Sequence, residues 1–155
     1  MSKGIVLDIE TDALDASKIH CIVTRDVNTN EVKEFVQDEC YTIFPQWSKG
    51  IDKFYMHNGL SFDARVINRL TDANIPMSNV VDTLILSQLF NPVREKGHSL
   101  AAWGDRLGFP KDTPPDSFLE YTPEMLQYCN RDVDVTFKLL KRLVGEGSEF
   151  SPSSI

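Results

Sequence analysis

Three short segments of the sequence carry side chains whose types and spacing could do chemistry. The stretch LDIET contains Asp8 and Glu10 two positions apart, and the stretch HNGLSFD ends in Asp63. The stretch YCNRD begins with Tyr128 and ends four residues later in Asp132. Carboxylate oxygens are hard ligands of the kind that Mg²⁺ and Mn²⁺ prefer. The segments therefore suggest a cation site, provided that the fold brings them together.

Local geometry favours a shared orientation within each segment. Successive side chains of a strand alternate, so Asp8 and Glu10 project from the same face. Residues four apart on a helix also share a face, which aligns Tyr128 with Asp132. Each residue has an ordinary structural explanation as well: a solvated sheet face, a helix-surface acid, a tyrosine at the margin of the core, or, for Asp63, a carboxylate that favours the helix dipole. No single segment decides between these explanations and a metal site.

The hydrophobic pattern predicts the elements that must position these segments. Predicted strands cover residues 4–9, 19–27, 31–36, 54–58 and 79–83, with a hairpin-like turn between the second and the third. Predicted helices cover residues 61–73, 84–90, 100–108 and 123–142, with Ser99 and Thr122 as N-caps. This order gives a mixed sheet with helices packed on its faces, which is an α/β domain.

Length and composition indicate a single domain. With 155 residues, 41% of them apolar, the chain can bury an ample core. We predict one domain over residues 1–145 and a flexible C-terminal tail over residues 146–155, where the sequence becomes rich in glycine and serine.

The formal net charge of −7 argues against tight, non-specific binding of nucleic acid through a basic surface. It fits either an ordinary acidic protein or a set of carboxylates gathered to hold cations. No apolar run reaches the length of a membrane span and the N-terminus lacks a signal-peptide pattern, so we predict no membrane association. Cys21, Cys40 and Cys129 include no closely spaced pair, which suits the reducing cytoplasm.

The chain order of the three motifs resembles the DEDD superfamily of 3′→5′ exonucleases, and in particular its tyrosine branch. LDIETDALD (7–15) resembles the first motif of the proofreading domains of phage and bacterial family A DNA polymerases, HNGLSFD the second and YCNRD the third. VDTLILSQL (81–89) and HSLAAWGDRLG (98–108) are also similar to segments of that family. The match spans residues 5 to 142 and implies an RNase H-like fold, a mixed central sheet with helices on both faces.

The resemblance implies a site for two divalent cations, Mg²⁺ or Mn²⁺. Asp8 would bridge both ions, Glu10 and Asp132 would complete the site of the attacking water, and Asp63 would hold the other ion mainly through waters. The hydroxyl of Tyr128 would orient that water. Because a phenol with a pKa near about 10 is a poor base at neutral pH, we expect orientation rather than proton abstraction.

Four further positions match those that contact the terminal nucleotide in the family: Thr11, Leu14, Asn58 and Phe62. Leu14 would wedge against the last base, and the ring of Phe62 would pack on base or sugar, a grip that tolerates any sequence. The turn after Asn58 is one residue longer than in some relatives. Gln127 stands where the histidine branch would carry its histidine, which favours the tyrosine branch.

The resemblance thus implies hydrolysis at the 3′ ends of single-stranded DNA, with release of nucleoside 5′-monophosphates. A 3′→5′ exoribonuclease acting on short RNA is an alternative, and a non-catalytic interaction module with the same fold is another, although all four carboxylates and the tyrosine are present. The chain ends where such a polymerase would continue, which predicts a free-standing exonuclease. Since the chain is acidic, one hypothesis is that a DNA polymerase or a single-strand-binding protein delivers the substrate.

Overall fold

The fold is built on one five-stranded sheet. The computed structural model describes residues 3–150, with side chains as far as residue 145. The strands are β1 (Gly4–Thr11), β2 (Ile19–Asp26), β3 (Val32–Val36), β4 (Lys53–Met56) and β5 (Val80–Asp82), in the spatial order β3-β2-β1-β4-β5. β1 is antiparallel to β2 and parallel to β4, and β4 is parallel to β5. The sheet is therefore mixed, with β1 at its centre.

The α-helices in residues 3–150 are α1 (Glu39–Thr42), α2 (Phe44–Ser48), α3 (Asp63–Leu70), α4 (Thr83–Phe90), α5 (Leu100–Arg106) and α6 (Pro123–Phe150), and a short 3₁₀ helix, Met77–Asn79, precedes β5. The sequence pattern gave no bounds for α1 and α2, which are too short to show a helical period. Neither α6 nor any other helix in this range is both long and apolar enough to cross a membrane.

The predicted end of the last helix at residue 142 is wrong, because α6 continues to Phe150. Gly145 and Gly147 weaken a helix by only about 1 kcal/mol each, and the next proline comes at residue 152. The predicted tail 146–155 therefore overlaps α6, and its residues 151–155 lie outside the described part of the chain. The domain boundary at residue 145 stays a prediction.

Helices cover both faces of the sheet. On one face, Ile5 and Leu7 of β1 belong to a buried cluster with Ile67 of α3. On the other face, Val6 of β1 belongs to a second buried cluster with Val133 of α6. The alternation of side chains along β1 thus supplies two cores from one strand, and the predicted α/β layers are confirmed.

The parallel neighbours β1 and β4 separate halfway along β1. β4 pairs with β1 only from Gly4 to Val6, whereas β2 accompanies β1 as far as Thr11. In the described part of the chain, the second edge of β1 has no strand partner beyond Val6. β1 also extends past its predicted end at residue 9, so Glu10 lies within the strand.

β2 carries an irregularity opposite the end of β1. Glu10 pairs with Cys21, but Thr11 pairs with Ile19, so His20 is an extra residue in β2. A bulge of this kind bends the strand and redirects a side chain.

Candidate active site

Three carboxylates converge where β1 faces α6. Asp8 and Glu10 alternate with Ile9 and so share a side of β1 with Val6, which packs toward α6. One ligand oxygen each from Asp8, Glu10 and Asp132 lies within 4.8 Å of the other two. Asp132 is buried, and the two carboxylates of β1 are partly buried. The fold therefore brings the first and third motifs together.

The fourth carboxylate, Asp63, follows the turn between β4 and α3. It is the first residue of α3 and is 6% exposed. It does not belong to the set of three ligand atoms within 4.8 Å. Its negative charge nevertheless raises the pKa of Asp8 and of Glu10. Asp63 thus lies next to the three-carboxylate set without being part of it.

Burial is the main cause that raises the pKa of all four carboxyl groups, and the charge of a neighbouring carboxylate adds to it at each. It raises the pKa of Asp8 well above its usual range, that of Glu10 to about 8, that of Asp63 to about 7 and that of Asp132 to about 6. After burial, the charge of Asp132 is the next cause at Asp8 and Glu10. Upward shifts of this kind mean that the nearby positive charge does not balance the negative charge of the ionised cluster.

The donor set fits a divalent cation. Glu10 Oε2, Asp63 Oδ2 and Asp132 Oδ1 are buried, and none of them has a hydrogen-bond partner among the described residues. Buried polar atoms normally have partners, and an unpartnered carboxylate oxygen is costly. Hard oxygen donors from separate segments suit Mg²⁺ or Mn²⁺. Asp8, Glu10 and Asp132 would form the direct ligand set, with Asp63 beside them.

Cys129 contacts Asp8, a relation that the motif analysis did not detect. Its Sγ lies 3.4 Å from the backbone oxygen of Asp8 and 3.5 Å from Asp8 Oδ2. Burial raises the pKa of the Cys129 thiol well above its usual range. The protonated thiol therefore donates a hydrogen bond to Asp8 and is not poised to act as a thiolate ligand.

Tyr128 lies one turn before Asp132, beside Lys111, which the sequence analysis also missed. Lys111 Nζ is 3.5 Å from Asp132 Oδ2 and 5.1 Å from the centre of the Tyr128 ring. Burial raises the pKa of Tyr128, although Lys111 opposes the shift. Burial lowers the pKa of Lys111, but Asp132 and Tyr128 outweigh it and the net shift is upward. At neutral pH the phenol is thus protonated and the amine is charged.

Contacts distant in sequence hold Lys111 in place. It lies near the base of an irregular loop, residues 109–122. The guanidinium of Arg131 stacks on the ring of Phe109 at 3.4 Å, and its Nε donates to the backbone oxygen of Pro110 at 2.8 Å. Gly104 allows the first residues of this loop to lie close to α5, because a Cβ at position 104 would be 3.0 Å from the backbone oxygen of Phe109. A lysine in a proline-rich loop gives no specific signal in the sequence.

Asp82 organises the turn that leads to Asp63. Its carboxylate accepts hydrogen bonds from the backbone amides of Asn58, Leu60 and Leu84, at 2.8, 3.2 and 2.9 Å. Asn58 has a φ of 65°, in the left-handed region. One buried acid at the end of β5 therefore fixes both the start of α4 and the turn after β4.

Three of the four predicted substrate-contacting residues line one groove. Thr11, Leu14 and Phe62 border a groove of about 300 Å³ that also includes Glu10 and Phe118. The side chain of Leu14 is 93% exposed, which is rare for a leucine and leaves it free to contact a ligand. The fourth residue, Asn58, is exposed and is not among the residues that line this groove.

Two phage proteins are similar to this chain in sequence. It is 28% identical to a DNA-directed DNA polymerase of Escherichia phage T7 and 26% identical to a DNA-directed DNA polymerase of Enterobacteria phage T3, over 193 aligned positions in each case. Each alignment covers 96% of this chain and 27% of the polymerase, so the chain spans about a quarter of the length of these relatives. No family model matches the chain.

Solved structures share the fold over nearly the whole chain. Brucella melitensis NrnC bound to pGG has a TM-score of 0.77 at 16% identity, covering 99% of this chain and 78% of that one. Escherichia coli RNase D, an exoribonuclease involved in structured RNA processing, has a TM-score of 0.71 at 19% identity, covering 98% and 42%. These likenesses confirm the RNase H-like fold. Together with the phage polymerases, they confirm the resemblance to the DEDD exonucleases.

The metal-free protein is expected to lose stability as pH rises. A carboxyl group whose pKa is raised in the folded state stabilises the fold below its unfolded pKa, and this contribution is lost as pH rises through the folded value. The folded values of about 6 for Asp132, 7 for Asp63 and 8 for Glu10 place the loss between roughly pH 4 and pH 8. Thermal unfolding in EDTA across this range measures it.

Asp63→Asn tests whether ionisation of the buried carboxyl groups causes this loss of stability. In EDTA near pH 8 it should raise the Tm relative to wild type, whereas Asp72→Asn, which removes one charge from an exposed position, should not. Excess Mn²⁺ should restore the stability of the wild type at the same pH. A wild-type Tm that rises with pH in EDTA would contradict the electrostatic account.

Lys111→Gln is expected to tighten Mn²⁺ binding while weakening the metal-free fold near pH 8. The ammonium group competes with a bound cation for Asp132, so its loss should raise affinity about tenfold, the order expected for one partly screened charge a few ångströms away. Calorimetric titration and unfolding in EDTA measure the two effects. Lys138→Gln is the control, because Lys138 lies over the ring of Phe109 instead. Weaker Mn²⁺ binding in Lys111→Gln would mean that the lysine organises the ligands rather than competing with the ion.

Proposed function

We propose that this chain is a metal-dependent 3′→5′ exonuclease that hydrolyses the terminal phosphodiester bond of single-stranded DNA and releases nucleoside 5′-monophosphates. The observation that carries the proposal is the set of ligand oxygens from Asp8, Glu10 and Asp132, within 4.8 Å of one another and beside the groove. The sequence similarity to two phage DNA polymerases supports the same class of reaction.

The four carboxylates are proposed to hold two divalent cations. Asp8, Glu10 and Asp132 would be direct ligands, and Asp63 would be the carboxylate beside them. When bound, such cations lower the pKa of a water and stabilise the charge that develops on the phosphate oxygens. The unpartnered oxygens of Glu10, Asp63 and Asp132 support this role. So does a structure of Brucella melitensis NrnC with bound Mg²⁺, which has a TM-score of 0.74 at 15% identity, covering 99% of this chain and 78% of that one.

Tyr128 is proposed to orient the attacking water through its hydroxyl. Its raised pKa keeps the phenol protonated at neutral pH, so it can hydrogen-bond the water but is a poor proton acceptor. Lys111 lies against the ring and Phe118 packs edge-on to it, with ring centres 6.4 Å apart. These contacts restrict the tyrosine to one orientation, as a positioning group requires.

The groove supports a substrate that presents one unpaired terminal nucleotide. Glu10 borders it, and the apolar side chains of Leu14 and Phe62 line it. None of the described residues that line it is basic. The protein therefore offers shape and apolar contact, and the phosphate must be met by cations. This need for a presented 3′ end also fits delivery by a DNA polymerase or a single-strand-binding protein.

RNA is the second candidate substrate. NrnC was solved with bound pGG, and RNase D is named as an exoribonuclease. DNA is preferred here because the sequence similarity is to two DNA polymerases. Digestion of matched DNA and RNA oligonucleotides under the same conditions decides between them, and faster digestion of RNA would overturn the preference.

Asp8→Ala is expected to abolish metal-dependent digestion of a 3′-hydroxyl oligonucleotide and leave the fold intact. The variant loses a ligand of the central set but also a buried, repelled charge, so in EDTA it should be at least as stable as wild type. Gel analysis of products labelled at the 5′ end measures digestion, and circular dichroism checks the fold. Asp72→Ala is the exposed control. Undiminished digestion by Asp8→Ala would contradict the proposed site.

Tyr128→Phe is expected to bind Mn²⁺ and a single-stranded 3′ end as wild type does, yet to turn over on the order of 10²–10⁴ times more slowly. The variant loses the hydroxyl and its hydrogen bond with Lys111, and the ring keeps its contacts with Phe118 and Lys111. Single-turnover kinetics separates the chemical step from binding. Tyr121→Phe removes a hydroxyl from a tyrosine that packs against the apolar cluster between β1 and α6, and it should have no effect. Wild-type turnover in Tyr128→Phe would assign the phenol a structural role only.

A further inference from the structure

The extra residue in β2 ties the loop 109–122 to the sheet. His20 has no partner in β1, because Glu10 pairs with Cys21 and Thr11 pairs with Ile19. Its side chain is only 3% exposed, and its Nε2 lies 2.6 Å from the backbone oxygen of Phe118, 98 residues further along the chain. A carbonyl oxygen can only accept, so Nε2–H is the donor.

This hydrogen bond fixes part of a segment that has no regular secondary structure. The loop contains Pro110, Pro114 and Pro115 and forms neither helix nor strand. Arg131 anchors its first residues, through Phe109 and Pro110. The bond from His20 anchors the loop a second time, beside the strand positions that carry Glu10.

Phe118 lines the groove. It borders the same space as Leu14, Phe62 and Glu10, and it also packs edge-on against Tyr128 at an interplanar angle of 72°. The groove of about 300 Å³ thus has an aromatic ring from the loop in addition to the aromatic ring that precedes α3. The ring of Phe62 belongs to a recognisable sequence motif, whereas the position of Phe118 depends on the anchored loop.

We propose that Phe118 is a specificity-determining residue that stacks on the 3′-terminal nucleobase, and that His20 is a positioning residue that fixes it in the groove. The inference rests on the proposed exonuclease function and adds the part of the substrate that the loop recognises. Every nucleobase has a flat π-face, so an aromatic wall selects for the presence of a base and not for its identity.

The test compares a normal oligonucleotide with one whose 3′-terminal nucleotide is abasic. Phe118→Ala should raise KM about tenfold on the normal end, the order found for one base stacked on one ring. Because Phe118 also packs against Tyr128, any fall in kcat should be equal on the two ends. On the abasic end, Phe118→Ala and wild type should have the same KM. Leu119→Ala is the control, because Leu119 is the next loop residue and is 73% exposed. Phe118→Leu keeps an apolar contact with Tyr128 and removes the π-face, so it should reproduce the loss if the alanine variant does not fold.

His20 is tested by separating its hydrogen bond from its volume. His20→Leu removes the donor and should raise KM on the normal end alone, whereas His20→Gln can still donate and should retain most of the wild-type KM. Calorimetric titration with dAMP and with deoxyribose 5-phosphate gives a readout independent of turnover. Only dAMP should bind more weakly to Phe118→Ala.

The outcomes distinguish the two proposals. If the wild type digests neither substrate, the exonuclease function fails. If the wild type digests both, and Phe118→Ala raises KM as much on the abasic end as on the normal end, base stacking is refuted while the exonuclease function stands. If His20→Leu behaves as wild type, the positioning role of His20 is refuted.

Discussion

Uncompensated negative charge in a confined space is the constraint on which this structure depends. The charge of Lys111 counters the upward pKa shifts of Glu10 and Asp132, and Lys111 also interacts with the charge of Asp8. Withdrawing a charge from water costs several kcal/mol unless a partner offsets it. The apolar packing on both sides of β1 must therefore offset the loss in folding free energy that the buried carboxylates cause. Ile5, Val6 and Leu7 supply part of this packing, since each is at most 1% exposed.

The same strand creates the space for these charges. β1 is covered by β4 only at its beginning and by β2 along its whole length, so its second half has one edge open to other parts of the chain. Asp82 holds the turn after β4 through the backbone amides of Asn58 and Leu60, and that turn delivers Asp63. Helix α6 closes the site from one face of the sheet because Val133 and Phe137 pack on Val6. The segments that carry the four carboxylates are thus positioned by different parts of the fold.

The sequence predicted what depends on local periodicity. Alternation along β1 and four-residue spacing on α6 were enough to orient the two carboxylates of β1 toward the same side and to align Tyr128 with Asp132. Ser99 and Thr122 cap their helices as expected. Lys111 and Phe118 could not be found in this way, because their loop has no period and its path is set by contacts with Arg131 and His20.

His20 illustrates a further limit of pattern reading. In the sequence it is one residue of an apolar run and carries no signal beyond its type. Its role arises from the strand register, which leaves it as the extra residue opposite the end of β1. A one-residue shift in pairing redirects every side chain that follows, so register decides which residue meets the loop. Register is a property of the folded sheet, and neither composition nor spacing specifies it.

The charge balance also bears on how the proposed site would bind a nucleic acid. A phosphate that approaches four carboxylates is repelled, and the chain as a whole carries a formal charge of −7. Cation binding reduces this repulsion, and by linkage a bound phosphate must strengthen cation binding by the same factor. The apolar side chains of Leu14, Phe62 and Phe118 are unaffected by this repulsion and can hold a base or a sugar without positive charge. The proposed division between apolar side chains for the nucleoside and a cation-dependent site for the phosphate therefore follows from the electrostatics of the carboxylate cluster.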